Sequence, residues 1–379
     1  MRIGLMGFEF QSPNKGCEAL VYSFLSVLNE ALDKNIIIIN FSGTELGMIP
    51  SYFNHLKFEN VNPTLKDIKF KYINALRKCD IIFDVTMGDS FSDIYSEEYY
   101  NGLIRHKLIA ETVGKKYVLL PQTYGPFKTK KSEKKAKKVF DKAYKIYCRD
   151  ELSQQLLSNN FGITDSILSS DMAFILPFEK EQYNFSNKPK MGINVSGLLY
   201  KGGFYYDNQF GLSINYPELI ERMITNFMNI YTIHLIPHVI DLSADSYDDD
   251  YKICEILHKK YPETILSPVF NTPIEAKNYI SMMDVFIGSR MHSTIASFSS
   301  NVTTIPISYS RKFEGLFGSL NYPYVVNARK ESTDSAFELI SKLLTNANLL
   351  NDSQQKSNKM ILKKNEYFKT SIKKLLEEI

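Results

Sequence analysis

The sequence of 379 residues predicts an α/β protein made of two doubly wound halves. Three observations carry this. Short apolar runs alternate with stretches of helical spacing along the chain. The first run, Ile3 to Met6, ends at Gly7 and passes through a polar loop into a helix, the opening of a doubly wound domain. The same opening starts again at Met191 to Val195, after a charged stretch bounded by Pro177 and Pro189.

Taken in order, Glu18 to Leu32 places Ala19, Leu20, Phe24, Val27, Leu28 and Ala31 at helical spacing, and Ile36 to Asn40 is a buried strand. The loop between strand and helix is not GxGxxG, so a dinucleotide fingerprint is absent. Asn14, Gly16 and Glu18 stand at the mouth of that sheet, where turn or cap chemistry competes evenly with a ligand role. Lys66 to Arg77 is a helix and Ile81 to Val85 a strand ending in TMGDSFSD. Tyr99 to Val113 is a helix, and Tyr117 to Leu120 a strand ending in PQTYGPF. Ser132 to Ala143 is a helix, and Ile146 to Cys148 a strand ending in Arg149 and Asp150. Strand ends therefore carry Asp89, Ser90, Gln122, Thr123, Arg149 and Asp171, one lip of a cleft if the strands are parallel. Asp171 serves equally well as a helix cap.

Residues 178–189 read as a linker between a first domain, 1–177, and a second, 190–347. The loop Ser196 to Asn215 collects Tyr200, Phe204, Tyr205, Tyr206 and Phe210 among glycines, rings suited to stacking on sugar faces or touching a lipid. Thr232 to Ile236 is a strand ending in Pro237 and His238, a histidine that either meets a ligand or bonds locally. Asp245, Asp248, Asp249 and Asp250 lack EF-hand spacing and read as a solvated helix start. The tail, 348–379, forms an amphipathic helix with Ile361, Phe368, Ile372, Leu375 and Ile379 on one stripe, packed back on the body.

The richest stretch is Met283 to Gly315. Asp284 to Ile287 is a strand, Gly288 and Ser289 a turn, and a helix starts near Arg290 and His292. A second strand, Thr303 to Ile307, leads to Tyr309, Arg311 and Lys312 at the next helix start. Helix N-termini carry unpaired N–H groups and a positive dipole end, so two such ends with Arg, His and Lys point to a small, strongly anionic ligand.

Composition bounds the rest. At 44% hydrophobic and 23% charged the chain is an ordinary soluble protein, and a net charge of +3 gives no case for nucleic acid. Cys17, Cys79, Cys148 and Cys254 form no CxxC pair, which argues against zinc and disulfides and fits a reducing cytoplasm. MRIGLMGF lacks the features of a signal peptide, and no apolar run approaches the roughly 20 residues that span a bilayer. The expectation is a cytoplasmic protein. Lys128 to Lys145 holds nine lysines against Glu133 and Asp141, a solvated helix face or a docking surface for the inner face of the membrane.

GSRMHSTIAS followed by ISYSRKFEGL resembles the signature of the polysaccharide pyruvyl transferase family. NKGCEAL, TMGDSFSD, LLPQTYGPF, YCRDELS, SSDMAFIL and LIPH fit it in order, so the resemblance spans nearly the whole chain. It implies two Rossmann-like domains facing across a cleft, as in GT-B glycosyltransferases. It implies transfer of the pyruvyl group of phosphoenolpyruvate, as a ketal, onto two hydroxyls of a sugar. A hexose such as galactose, ketalised at its 4- and 6-hydroxyls in bacterial surface or capsular polysaccharide, is the expected acceptor, and family members often use lipid-linked sugars. Arg290, His292, Lys312, Arg149 and Ser289 would hold phosphoenolpyruvate. His292, Asp89 and Arg149 would carry the chemistry. Asn14, Glu18, Gln122, Asp171, His238 and Tyr205 would face the acceptor, with Glu18 a weaker second choice to Asp89 as base. Phosphoenolpyruvate is a co-substrate, and no metal or cofactor is expected. The alternative reading is a GT-B glycosyltransferase holding a nucleotide sugar in the same crevice.

Overall fold

The computed structural model describes all residues except 33–35, 43–45, 47–48, 50–52, 62–67, 181–187 and 244–245. The described chain divides into two compact units. The first comprises Met1–Ser12, Leu20–Ile175 and Ile361–Ile379, and the second Pro13–Ala19 and Leu176–Met360.

The first unit holds a parallel sheet of seven strands: β1 (Arg2–Met6), β2 (Ile37–Asn40), β3 (Lys57–Asn60), β4 (Ile81–Asp84), β5 (Tyr117–Gln122), β6 (Lys145–Cys148) and β7 (Ile167–Leu168). Their spatial order is β3-β2-β1-β4-β5-β6-β7. Helices α1 (Lys15–Ala31), α2 (Ile68–Lys78), α3 (Glu97–Thr112), α4 (Lys130–Phe140) and α5 (Glu151–Phe161) connect them, although the first residues of α1 group with the second unit. Central strands are buried throughout and mostly apolar, because a parallel sheet is covered on both faces; β4 reads IIFD, its closing Asp84 buried in an ion pair with Lys107. Local chemistry sets the helix ends. Asp150 caps α5 by accepting from the Ser153 N–H at 2.7 Å, and Gly162 ends it in the left-handed region at φ 72°.

The second unit repeats the plan. Strands β8 (Lys190–Asn194), β9 (Thr232–Leu235), β10 (Ile265–Leu266), β11 (Val285–Gly288), β12 (Thr303–Ser308) and β13 (Val326–Asn327) form a parallel sheet in the order β10-β9-β8-β11-β12-β13. Its helices are α6 (Gly197–Tyr200), α7 (Tyr216–Phe227), α8 (Asp250–Lys260), α9 (Pro273–Ser281), α10 (Met291–Ser299), α11 (Arg311–Ser319), α12 (Thr333–Thr345) and the long α13 (Ala347–Glu377). Ile193, Ile287, Ile305, Leu219, Ile220 and Ile340 meet in its core. The two Rossmann-like units expected from the sequence are therefore present.

Several expectations change. The edge strand β3 has one half-buried residue and three exposed ones, so no apolar run marked it. The tail helix starts at Ala347, and its residues from Ile361 onward group with the first unit, where Phe368, Ile372 and Leu375 are buried. The acidic run is not a solvated helix start. Asp249 and Asp250 are fully buried, and both carboxylates accept from backbone N–H groups, Asp249 from Tyr251 and Asp250 from Val239. Asp245, residues 66–67 of the expected second helix and residues 181–187 of the expected linker lie outside the described residues.

Candidate functional site

In the second unit β8 lies between β9 and β11, so the strand order reverses beside it. Crevices for ligands open at such a switch point, beyond the strand carboxyl ends. Asn194 closes β8 and stitches this point together. Its Oδ1 accepts from the Arg290 N–H at 2.9 Å and the Ser293 hydroxyl at 3.0 Å, and its Nδ2 donates to the Ile236 carbonyl at 2.9 Å. Ser289 shares a 2.6 Å hydrogen bond with the Tyr216 hydroxyl, so it is committed to the scaffold.

Arg290 was expected to hold the ligand's oxyanion, and the structure gives it different partners. Its Nη2 donates to Asp250 at 2.7 Å and also to Asp248, and its Nε lies 3.2 Å from both Asp250 oxygens. Burial opposes its charge, and Asp250 and Asp248 overcome that, keeping its pKa well above the ordinary value. Asp250 in turn accepts from the N–H groups of Gly197 (2.8 Å), His238 (3.1 Å) and Val239 (3.0 Å). Gly197 must be glycine, since a Cβ would lie 2.1 Å from the Asp249 carbonyl oxygen. The Arg290–Asp250 pair is thus a buried brace that ties β8, β9 and β11 at their ends.

His292, the second residue of α10, is half-buried. It lies against the first turn of α1, where a Cβ on Gly16 would come within 2.3 Å of its Nδ1. That turn is fixed to the second unit. Lys15 donates its N–H to the His238 carbonyl at 3.0 Å, and its ammonium binds Glu18 at 2.8 Å and the Asn271 carbonyl at 3.0 Å. Glu18 is buried in this ion pair, which opposes a role as a free base. Asn14 accepts from the Gly16 N–H at 3.0 Å, a turn role. His238 is buried, and neither ring nitrogen has a hydrogen-bond partner among the described residues. Burial, then the charges of His292, Arg290 and Lys15, push its pKa well below the ordinary histidine value. Lys312 is half-buried in the first turn of α11, which follows β12. Strands β11 and β12 are paired, Gly288 opposite Pro306, so α10 and α11 start from adjacent strand ends. Tyr205 is exposed on the loop after α6.

The first unit has its own switch point, between β1 and β4. There Thr86 and Met87 take the left-handed conformation at φ 41° and 53°, rare for residues with side chains. Gly7 makes room, since a Cβ on it would lie 2.5 Å from the Thr86 nitrogen. Asp89, two residues on, accepts from the Tyr95 hydroxyl at 2.7 Å. Arg149 is buried, its Nη1 on Asp171 at 2.8 Å and its Nε on the Thr123 hydroxyl at 2.8 Å. Its Nη2 is buried with no partner among the described residues. Asp171 is therefore the partner of Arg149, not an exposed acceptor ligand. Gln122 is buried, donating to the Asp84 carbonyl at 3.2 Å.

Sequence reasoning missed Asn194, Asp248, Asp250 and the seat that Gly16 makes for His292. A polar residue closing the apolar strand MGIN was the one available signal, for Asn194. Among the described residues no three His, Cys, Asp or Glu side chains converge as metal ligands would.

The family model described as polysaccharide pyruvyl transferase matches residues 14–311. The amylovoran biosynthesis protein AmsJ of Erwinia amylovora is 20% identical over 269 residues, covering 67% of this chain and 62% of that protein. Among solved structures, Anabaena HepE in complex with UDP and glucose is similar with a TM-score of 0.64 at 9% identity, over 100% of this chain and 99% of that one. A putative UDP-N-acetylglucosamine 2-epimerase from Listeria monocytogenes is similar at 0.62 and 9% identity, over 100% of this chain and 97% of that one. These likenesses show the GT-B-like fold.

Proposed function

Because the chain belongs to the polysaccharide pyruvyl transferase family, we propose that it moves the pyruvyl group of phosphoenolpyruvate onto two hydroxyls of one sugar and releases phosphate. The observation that carries this reading is the second unit's switch point, where His292 sits on the Gly16 turn beside the braced end of β11 and α11 brings Lys312 from the adjacent strand end.

The chemistry assigns the roles. The methylene carbon of the enol takes a proton, leaving an oxocarbenium-like centre. One sugar hydroxyl adds to that centre and loses its proton. The carbon–oxygen bond to phosphate then breaks, and the neighbouring hydroxyl closes the ketal, its proton going to the phosphate. His292 is the proton donor, a task that a positioned imidazole speeds by roughly 10²–10⁴-fold. Lys312 and the positive dipole ends of α10 and α11 balance the departing phosphate. Arg290 acts by holding the strand ends through Asp250 and Asp248. Within the first unit, Asp89 would serve as a base and Arg149, whose Nη2 is buried with no partner among the described residues, as an anion-binding group. A hexose such as galactose, carried on a growing surface polysaccharide or a lipid, is the acceptor.

The test is incubation with phosphoenolpyruvate and a panel of galactosides, mannosides and lipid-linked sugars, read by phosphate release and product mass. The expected result is phosphate release with a ketal product, lost in His292→Gln. The resemblance to HepE in complex with UDP and glucose favours a second reading, a nucleotide-sugar glycosyltransferase. Nucleotide release without phosphate from phosphoenolpyruvate would establish that reading instead.

A further inference from the structure

The second unit holds aromatic residues that its core does not use. Phe204, Tyr205 and Tyr206 follow α6, and Tyr247 lies on the loop between β9 and α8. Their exposures are large for aromatic side chains: 77% for Tyr205, 61% for Tyr206 and 56% for Tyr247. Exposed rings gathered in one place mark a surface that something else covers.

These rings are held in place. The Asn208 N–H donates to the Gly202 carbonyl at 2.9 Å, and the Asn208 side chain both accepts from the Leu212 N–H and donates to the Leu212 carbonyl, each at 2.8 Å. Gln209 accepts from the Phe204 N–H at 2.9 Å. Tyr206 takes φ 57°, an uncommon conformation for a bulky residue, and the loop retains it while its ring packs edge-on to Tyr247 with centroids 6.1 Å apart. The Lys201 ammonium reaches the Ser246 and Tyr247 carbonyls, so the two loops are joined.

Charge decides what such a surface fits. The described parts of the two loops carry carboxylates at Asp207, Asp241 and Asp248, while the one lysine of the aromatic loop, Lys201, is directed at carbonyl oxygens. Two cations adjoin these loops, Arg290, which is spent on Asp248 and Asp250, and Lys252 on α8, which lies 2.6 Å from the Ser243 carbonyl. An anionic lipid surface would be repelled there. A neutral polyhydroxylated ring would not. The C–H face of a pyranose stacks on an aromatic ring, and tyrosine hydroxyls at the rim hydrogen-bond to its hydroxyls.

The surface is also joined to the switch point. Tyr247 is followed by Asp248, which binds Arg290. Phe210, at the end of the aromatic loop, packs edge-on to Tyr309 with centroids 5.3 Å apart, and Tyr309 precedes α11 with Lys312.

We propose that Phe204, Tyr205, Tyr206 and Tyr247 form a stacking platform that binds a glycan chain beside the second unit's switch point. The identification of that glycan with the pyruvylation acceptor rests on the proposed function. The platform itself does not.

Two measurements separate the two ideas. Saturation-transfer NMR with galacto- and manno-oligosaccharides reads binding without turnover. Wild-type protein should saturate the sugar C–H protons of at least one oligosaccharide. Tyr205→Ala and Tyr247→Ala should each weaken that binding about tenfold, and Tyr205→Phe should keep most of it. In the pyruvyl-transfer assay the alanine variants should raise the acceptor KM and leave the phosphoenolpyruvate KM unchanged. Absence of oligosaccharide binding by wild-type protein would overturn the platform, as would equal binding by the alanine variants or a shift in oligomeric state as their only effect. Sugar binding that follows the rings, without turnover of phosphoenolpyruvate, would uphold the platform and overturn the proposed reaction.

Discussion

At Gly16 a missing side chain sets where His292 can sit. An Ala there would improve helix propensity by about 1 kcal/mol but drive a methyl into the imidazole, 2.3 Å from Nδ1. Gly16→Ala should therefore lower turnover about 10–100-fold, in the range that a small misplacement of a reacting group produces, with little change in melting temperature. Arg290→Ala should do the opposite of a clean active-site change. It leaves Asp250 and Asp248 buried or half-buried without their cation, a loss of about 3–5 kcal/mol in denaturant unfolding. Lys277 is a third case. It is buried with its ammonium on the Leu176 carbonyl at 2.7 Å and over the Phe178 ring, and burial lowers its pKa to about 7. The unfolded chain, with a lysine pKa near 10.4, then binds more protons than the folded one between about pH 7 and pH 10. Stability should rise with pH across that window, and the full penalty applies below it. Lys277→Met should raise the melting temperature at pH 6, and the gain should shrink toward pH 10. A pH-independent difference would show that the ammonium is charged in the fold.

At the scale of elements, α4 is the clearest surface feature. Lys128, Lys130, Lys131, Lys134 and Lys138 are exposed, but Lys131 pairs with Glu97, Lys137 with Asp141 and Lys142 with Glu111. The pairing trims the field that nine lysines suggest, and each unpaired lysine near an anionic membrane is worth roughly 1 kcal/mol. If this helix docks on the membrane, changing Lys130, Lys134 and Lys138 to Glu should reduce co-sedimentation with phosphatidylserine vesicles at low salt and leave turnover of a soluble acceptor intact. Equal sedimentation would remove α4 from any membrane role. Among the described residues no helix is long and apolar enough to cross a bilayer.

At the scale of the whole molecule, sequence order and spatial grouping part company at both ends of the chain. Pro13–Ala19 groups with the second unit, and Ile361–Ile379 with the first. In the first unit Phe368 packs edge-on to Tyr147 with centroids 5.1 Å apart, and Ser371 hydrogen-bonds the Tyr147 hydroxyl at 2.7 Å. Phe368→Ala should therefore cost the first unit about 3–5 kcal/mol. Its amides on β6 should lose hydrogen-exchange protection first. Uniform loss across both sheets would mean that the units unfold as one.

Much of the fold was legible because apolar runs in a parallel sheet are local signals. β1, β4, β8, β11 and β12 each announce themselves in four to six residues. The edge strand β3 was not, since an exposed edge needs no apolar run. The order of turns also marked the residues at each strand end, including His292 and Lys312. The sequence by itself determined two wound sheets and the chemistry-bearing residues at their carboxyl ends. Only the tertiary structure decided which of those residues are spent on one another: Arg290 on Asp250, Arg149 on Asp171, Lys15 on Glu18. Such pairings join distant parts of a unit or depend on its burial, and a buried charge takes whatever partner the packing brings within reach.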